Sequence, residues 1–327
     1  MLQAGLTCAI LALSVFAAAQ TPAPSLLVLN KNDATLAVIG PSSGKVLATV
    51  PTGVGPHEVS VSADGRLAFV TNYGGTTPGR TLSVIDIAAR KEIRRVDLGG
   101  LQRPHGINVV DDKVLFTAEA NRALARYDPA ANRIDWRFET GQELTHMVLA
   151  SRDGRMLFTS NIGSNTVSII DRVGDKWRQT LVRVGAGPEG LDLSPDGREL
   201  WAAHTADGGV SIVDVAAKKV AHTFDAGTRR SNRLKFTRDG RMVLISDLDA
   251  GDLVIVDTRA RTVTKRLPVG RMPEGILIRP DGQRAYVAVT GENRIVAIDL
   301  QKLEVVQTIA TGNGPDGMAW VSSSPFP

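Results

Sequence analysis

One phrase returns along this chain at a nearly fixed interval, and that periodicity restricts the fold more than any other feature. An apolar, strand-like segment ends in Asp-Gly at Asp64-Gly65, Asp153-Gly154, Asp196-Gly197, Asp239-Gly240 and Asp281-Gly282, with Asp111-Asp112 in the one gap. Successive aspartates lie 47, 42, 43, 43 and 42 residues apart. Around the markers the wording repeats: PEGLDLSPDGRELWAAH then GGVSIVDVAAKKVAHTF, and later PEGILIRPDGQRAYVAV then NRIVAIDLQKLEVVQTI.

Each phrase translates into four short strands. Leu191 and Leu193 alternate with polar residues up to the turn Pro195-Asp196-Gly197. Leu200 to Ala203, the β-branched run Val210 to Val215, and Val220 to Phe224 before Gly227 follow. No long stretch after Gln20 has sustained 3.6-residue apolar periodicity. Four strands in a repeat of about 40–45 residues are the signature of a propeller blade. Complete copies start near Pro56, Pro104, Leu144, Pro188, Ser231 and Pro273. A seventh is split: Pro315 to Val321 supplies its innermost strand, and Leu26 to Asn30, Ala34 to Ile39 and Val46 to Val50 supply the other three. The expectation is an all-β, seven-bladed propeller over residues 26–327, closed by both chain ends. Closure leaves no unpaired edge, so a monomer is expected. Residues 20–327 divide into seven units of 44, and the 32 Gly and 16 Pro suit so many turns.

Ahead of the repeats, Leu6 to Ala19 carries no charged side chain and is too short to span a bilayer. Ala17-Ala18-Ala19 has the small-x-small form of a signal-peptidase site. Residues 1–19 are expected to be a signal peptide cleaved near Ala19-Gln20, and residues 20–25 an extended lead-in. The expected product is secreted, periplasmic or extracellular, without a transmembrane span. The missing Lys or Arg before the apolar run leaves an uncleaved anchor or a mistaken start as alternatives. The only cysteine, Cys8, precedes most of the apolar run and fits a lipobox poorly, so disulfides and cysteine-rich metal sites are excluded.

FVTNYGGTTPGRTLSVIDIAARKEI (Phe69 to Ile93) and LFTSNIGSNTVSIID (Leu157 to Asp171) resemble the repeat of the YVTN-family, YncE-like β-propellers. The resemblance spans Leu26 to Val321. It implies a secreted or surface-exposed seven-bladed propeller, of a family mostly without an established reaction. Asn72-Tyr73-Gly74-Gly75 is also similar to lactonase-type propellers, which implies an enzyme alternative.

In a propeller, the connections from strand four to strand one and from strand two to strand three share the top face with the central funnel. Aligned repeats place His57, His105, His146, Glu189, Asn232, Glu274 and Asp316 there, one per blade. The ends of the second strands contribute Asn30, Asn72, Glu119, Asn161, His204, Asp247 and Val289. Imidazoles are good ligands for divalent zinc, copper, iron or nickel, so His57, His105 and His146 are the candidate metal ligands. Glu189, Glu274 and Asp316 are candidate general bases. The alternative is structural: the ring residues cap loop amides, or the blades hold the imidazoles too far apart to share an ion. Arg103, Arg229, Arg230, Arg233 and Arg271 form a candidate anion site, with Asn72, Glu119, Asn161, His204, Asn232 and Asp247 as further ligand contacts. A solvated cluster paired with the acids is the alternative.

Two G-x-G-x-x-G matches, at Gly185 and Gly312, are followed by strands rather than helices and are set aside. Trp136, Trp177, Trp201 and Trp320 lie in strands and are expected to pack between blades. The 38 Lys and Arg against 34 Asp and Glu are scattered, which disfavours nucleic acid. The leading expectation is therefore a binding scaffold that takes a small ligand or a protein at its top face. A metal-dependent, lactonase-like hydrolase is the alternative, and binding of nucleic acid or an anionic polymer is the second alternative.

Overall fold

The computed structural model describes residues 24–322. The expected signal peptide and the start of the lead-in lie outside the described residues. Seven four-stranded antiparallel sheets form the blades. Blade 1 holds β1 (Ser25–Asn30), β2 (Thr35–Gly40) and β3 (Lys45–Pro51). Blade 2 holds β4 (Pro56–Val61), β5 (Leu67–Gly74), β6 (Pro78–Asp86) and β7 (Lys91–Asp97). Blade 3 holds β8 (Pro104–Val110), β9 (Lys113–Ala118), β10 (Ala123–Asp128) and β11 (Arg133–Glu139). Blade 4 holds β12 (Thr145–Ala150), β13 (Met156–Asn161), β14 (Thr166–Val173) and β15 (Lys176–Arg183). Blade 5 holds β16 (Pro188–Leu193), β17 (Glu199–His204), β18 (Gly209–Asp214) and β19 (Lys219–Asp225). Blade 6 holds β20 (Ser231–Phe236), β21 (Met242–Asp247), β22 (Asp252–Asp257) and β23 (Thr262–Pro268). Blade 7 holds β24 (Pro273–Ile278), β25 (Arg284–Val289), β26 (Arg294–Asp299) and β27 (Glu304–Ala310). Then β28 (Pro315–Val321) returns to blade 1 and pairs with β1, as the split seventh repeat requires.

Alternation along the strands sends apolar side chains to both faces of each blade, because every blade is covered on two sides. The result is one apolar cluster at each blade–blade interface. Trp201 is fully buried with Phe224 and Phe236 between blades 5 and 6. Trp320 stacks on Tyr286 at the blade 7–blade 1 interface, and Trp136 meets Trp177 between blades 3 and 4. The tryptophans thus pack between blades, as their strand positions suggest. The Asp-Gly markers close the hairpins at the opposite end: Asp64 Oδ1 accepts from the Ser62 hydroxyl and the Arg66 N–H, and Gly65 takes φ +71°.

The innermost strands share a device that decides what faces the channel. Pairing begins at Pro56↔Asn72, Pro104↔Ala118, Thr145↔Asn161, Pro188↔His204, Ser231↔Asp247, Pro273↔Val289 and Pro315↔Asn30. In each case the register then slips by one residue within the next three. A β-bulge bends a strand and re-aims its side chains. Seven equivalent bulges therefore turn the residue after each starting position toward the axis.

Four hydroxyls fix these bulges. Thr117 Oγ1 accepts the Gly106 N–H at 2.8 Å and donates to the His146 carbonyl of the next blade at 2.7 Å. Thr71 does the same between Glu58 and His105, Ser160 between Met147 and Glu189, and Ser246 between Arg233 and Glu274. The equivalent positions in the other three blades are apolar: Leu29, Ala203 and Ala288. Each hydroxyl ties a bulge to the neighbouring blade and so sets the spacing of the channel ring.

Candidate functional site

The seven bulge residues His57, His105, His146, Glu189, Asn232, Glu274 and Asp316 line one cavity of about 290 Å³, together with Lys31, Tyr73, Glu119, Leu144, Ile162 and Arg233. The aligned ring thus lies around one cavity. Larger depressions on the surface lie at hairpin turns and loop rims, away from this convergence of polar groups.

The funnel has two unlike walls. Blades 2 to 4 present imidazoles and a phenol. The His105 and His146 rings are 3.8 Å apart between centroids, and His57 lies 5.1 Å from His105 and 4.6 Å from Tyr73. His146 Nδ1 bonds Glu119 Oε1 at 2.5 Å, and the Tyr73 hydroxyl donates to Glu119 Oε2 at 2.6 Å. Among the described residues, His105 Nδ1 and His146 Nε2 are buried without a hydrogen-bond partner, although Glu189 Oε1 stands 4.0 Å from His146 Nε2. The ligand atoms of His105, Glu119 and His146 lie within 4.8 Å of one another. His57 is not part of that group: its Nδ1 is engaged with the Gly55 carbonyl at 2.8 Å. The imidazole set expected from the repeat is thus changed, with Glu119 in place of His57.

The opposite wall is a band of ion pairs. Lys31 bonds Glu274 and lies 3.3 Å from Asp316. Arg233 reaches across the channel from blade 6 to Glu58 on blade 2 and stands 3.8 Å from Asp316. Asn232 donates to Glu189 at 2.5 Å and accepts from Arg233 at 3.3 Å. The Arg233 side chain is only 5% exposed. In four blades the residue after the ring position is glycine, where an added Cβ would strike the next strand; at Gly275 it would lie 2.2 Å from the Asp316 carbonyl oxygen. Glu58, Met147 and Arg233 break that wording, and two of the three form the cross-channel pair.

Burial and charge set the ionisation. Burial is the largest influence on His57 and His105 and lowers both below their ordinary value, His105 strongly. Burial also works against the Arg233 charge, but Glu58, Asp316 and Glu189 outweigh it and raise the guanidinium further. Glu119 feels the same opposition; its bonds from His146 and Tyr73 prevail and hold it below the usual range. Glu274 and Asp316 divide their roles. Burial, then the Asp316 charge, pushes Glu274 up to about 7, while Lys31 and Arg233 overcome burial at Asp316 and keep it anionic.

The remaining sequence candidates lie elsewhere or are bonded within the chain. Asn72 accepts the Gly53 N–H and donates to Thr81 and Ser83. Asn161 bonds Thr145, Thr166 and Ser168. Asp247 accepts from the Arg229 and Arg230 amides, and His204 Nδ1 bonds Asp207. These second-strand ends tether the loop that enters the innermost strand. Glu119 does not belong with them. Pro104 pairs with Ala118, so Ala118 is the counterpart of Asn72, and Glu119 corresponds to Tyr73, Lys31 and Ile162. That next position is a second funnel ring, which the sequence alignment missed by one residue. Of the five arginines only Arg233 enters the wall. Arg103 lies over the Tyr73 ring at 4.7 Å, while Arg229, Arg230 and Arg271 are exposed, Arg230 paired with Asp249 at 2.8 Å. The five arginines do not converge: Arg229 and Arg230 share the loop before β20 but stay exposed, and Arg103 and Arg271 precede the first strands of other blades.

The fold is similar to that of a periplasmic gluconolactonase from Pseudomonas aeruginosa, with 20% identity and a TM-score of 0.74, covering 92% of this chain and 99% of that one. It is similar to Kuenenia stuttgartiensis hydrazine synthase, with 19% identity and a TM-score of 0.68, covering 80% and 88%. A functionally unknown protein from Desulfotomaculum acetoxidans matches with 11% identity and a TM-score of 0.76, covering 91% and 99%. At such identities the likeness is one of fold alone. No curated protein sequence matches the chain significantly. A family model described as YNCE-like beta-propeller matches residues 112–284, more than half of the chain. With seven blades closed by β28 and that match, the chain belongs to the YNCE-like β-propeller family.

Proposed function

We propose that this chain is an exported binding propeller whose funnel takes a small ligand bearing positive charge. The observation that carries the reading is the charge of the lining. Glu119, Glu189, Glu274 and Asp316 line the cavity against Lys31 and Arg233, and Glu58 sits beneath Arg233. Both cations are already surrounded by carboxylates, so the funnel stays negative even with Glu274 protonated. A cavity of about 290 Å³ suits a ligand of small-molecule size rather than a polymer. Low-dielectric walls strengthen the field inside such a cleft. The dispersed rim arginines give correspondingly little support to anionic polymers. Among the described residues no helix is long and apolar enough to cross a membrane. Export itself rests on the uncharged run Leu6 to Ala19, and N-terminal sequencing of the exported product is expected to begin at Gln20.

The test is a thermal-shift series with putrescine, zinc chloride and citrate. The cations are expected to raise the melting temperature and citrate to leave it unchanged, with the gain reduced in Glu119→Gln/Glu189→Gln. Stabilisation by citrate alone would overturn the reading.

A second reading, lactone hydrolysis, is supported by the Glu119–His146 hydrogen bond, which leaves His146 Nε2 with a free lone pair. Such a base takes a proton from water as the water oxygen attacks the lactone carbonyl; the ring C–O bond then breaks and its oxygen takes the proton back. Hydrolysis of glucono-δ-lactone by wild type but not by His146→Gln is the expected result. Equal rates in both would remove it.

A further inference from the structure

We infer that His105, Glu119 and His146 form a binding site for one divalent transition-metal ion. The inference deepens the cation-binding reading proposed above and rests on it. The first ground is convergence. Three donors from two adjacent blades bring their ligand atoms within 4.8 Å of one another, and all three residues are buried. The second ground is independent of the first. His105 and His146 are 4% and 8% exposed, yet each has a buried ring nitrogen without a hydrogen-bond partner among the described residues. A buried polar atom left unpaired is destabilising, and an ion can supply the missing partner.

The donor set selects the ion. Two imidazoles and one carboxylate favour zinc, nickel, cobalt or copper over calcium and magnesium, which prefer all-oxygen shells. Three protein ligands also leave one position of a tetrahedral ion for water or a further ligand. Support for the donors is in place. Tyr73 donates to Glu119 Oε2, the oxygen that His146 does not use, and so orients the carboxylate. The carbonyl of His146 is held by Thr117, and that of His105 by Thr71. These bonds fix the backbone from which both rings project. Ligand atoms around a tetrahedral ion at about 2.0–2.1 Å stand roughly 3.4 Å apart. The trio, whose ligand atoms lie within 4.8 Å of one another, therefore closes further when the ion binds.

Competition between the purified chain and a chromophoric chelator for Zn2+ tests the assignment. One ion per chain is expected, with Ca2+ failing to compete. His105→Gln, His146→Gln and Glu119→Gln should each weaken binding at least about 100-fold, and Tyr73→Phe about 10-fold through loss of outer support. His222→Gln, on outer strand β19 away from the funnel, should leave affinity within about threefold. Circular dichroism in excess EDTA identifies any variant that fails to fold, and X-ray absorption on the wild type reads the ligand shell without any substitution. The inference is overturned if zinc binds no more tightly to wild type than to the His105→Gln/His146→Gln chain. It is equally overturned if Glu189→Gln, rather than Glu119→Gln, abolishes binding, since Glu119 then only orients His146. Retained putrescine binding beside absent zinc binding would sink this site alone. Loss of both would sink the cation-binding reading as well.

Discussion

Replacing Thr117 by Val isolates the device that spaces the channel ring. The two side chains are nearly isosteric, so packing between blades 3 and 4 is kept while the hydroxyl is lost. Thr117 is fully buried. Its oxygen accepts from the Gly106 N–H at 2.8 Å and donates to the His146 carbonyl at 2.7 Å, so the substitution leaves two backbone groups without partners. Each such orphan costs about 1–3 kcal/mol, and partial relaxation places the sum near 3 kcal/mol. For about 300 ordered residues the unfolding entropy is about 0.6 kcal/mol per kelvin, so the melting temperature should fall by roughly 5 °C. Denaturant titration at neutral pH gives the free energy, and Thr117→Ser, which keeps the hydroxyl and loses a methyl, should cost only about 1 kcal/mol. His146 should also lose its fixed position, so zinc affinity should drop in the Val variant and not in the Ser variant. A Thr117→Val chain within about 0.5 kcal/mol of wild type would refute the argument that the hydroxyl joins the blades.

Glu274 faces Lys31, Asp316 and Arg233, and its folded pKa of about 7 lies above the ordinary carboxylate value; its contribution to stability is full below pH 4.5 and is lost as pH rises through about 7. Glu274→Gln should therefore flatten the stability profile between those limits by an amount on the order of 2–3 kcal/mol, measured by denaturant titration at pH 5 and pH 8. His57 and His105 act in the opposite sense: their lowered pKa values give stability that is present above 6.5 and lost on acidification, so His57→Gln should soften the acid limb of the same profile. Removing Arg233 alone, as Arg233→Met, strands Glu58 and leaves Asp316 with Lys31 alone, and should cost about 3–5 kcal/mol, whereas Glu58→Met/Arg233→Met should recover much of it in a double-mutant cycle.

The blade count and the first funnel ring are legible in the sequence because both follow from a repeat whose wording survives in every copy. Proline, serine or threonine starts each innermost strand, and the following residue is the one the bulge turns inward. The second ring was hidden by a local coincidence. Leu115-Phe116-Thr117 reads like Leu157-Phe158-Thr159, and matching them equates Glu119 with Asn161. The pairing equates Phe116 with Thr159 instead, since these residues oppose Ile107 and Val148. Asp111 and Asp112 form a tight two-residue hairpin with φ of 49° and 57°, where the other blades use a longer Asp-Gly turn. The shorter turn lets strand β9 run one residue out of step with its look-alike, and a side chain destined for the funnel reads as one destined for a loop. Lys31 and Tyr73 directly follow Asn30 and Asn72, one place beyond the position that the repeat wording marks. The cross-channel pair of Glu58 and Arg233 left a different trace, the loss of a glycine from the phrase, but nothing linear joins positions 175 residues apart.

The return of β28 to blade 1 makes this funnel a late event in the life of the molecule. Thr311, just ahead of β28, bonds Asn30 across 281 residues of sequence, and the Asp316 that completes the ring arrives on β28 itself. Bringing such distant ends together across a disordered chain carries an entropy penalty of about 5 kcal/mol. If blades 2 to 7 form first, each from neighbouring segments, the arc they build already holds the two ends close and most of that penalty disappears. Folding should therefore proceed as an arc that is clasped at the end, with blade 1 the last to acquire protection from hydrogen exchange. A chain stalled before residue 315 would carry six blades, an exposed blade interface and a Lys31 lacking Asp316, which makes ligand binding a report on complete synthesis.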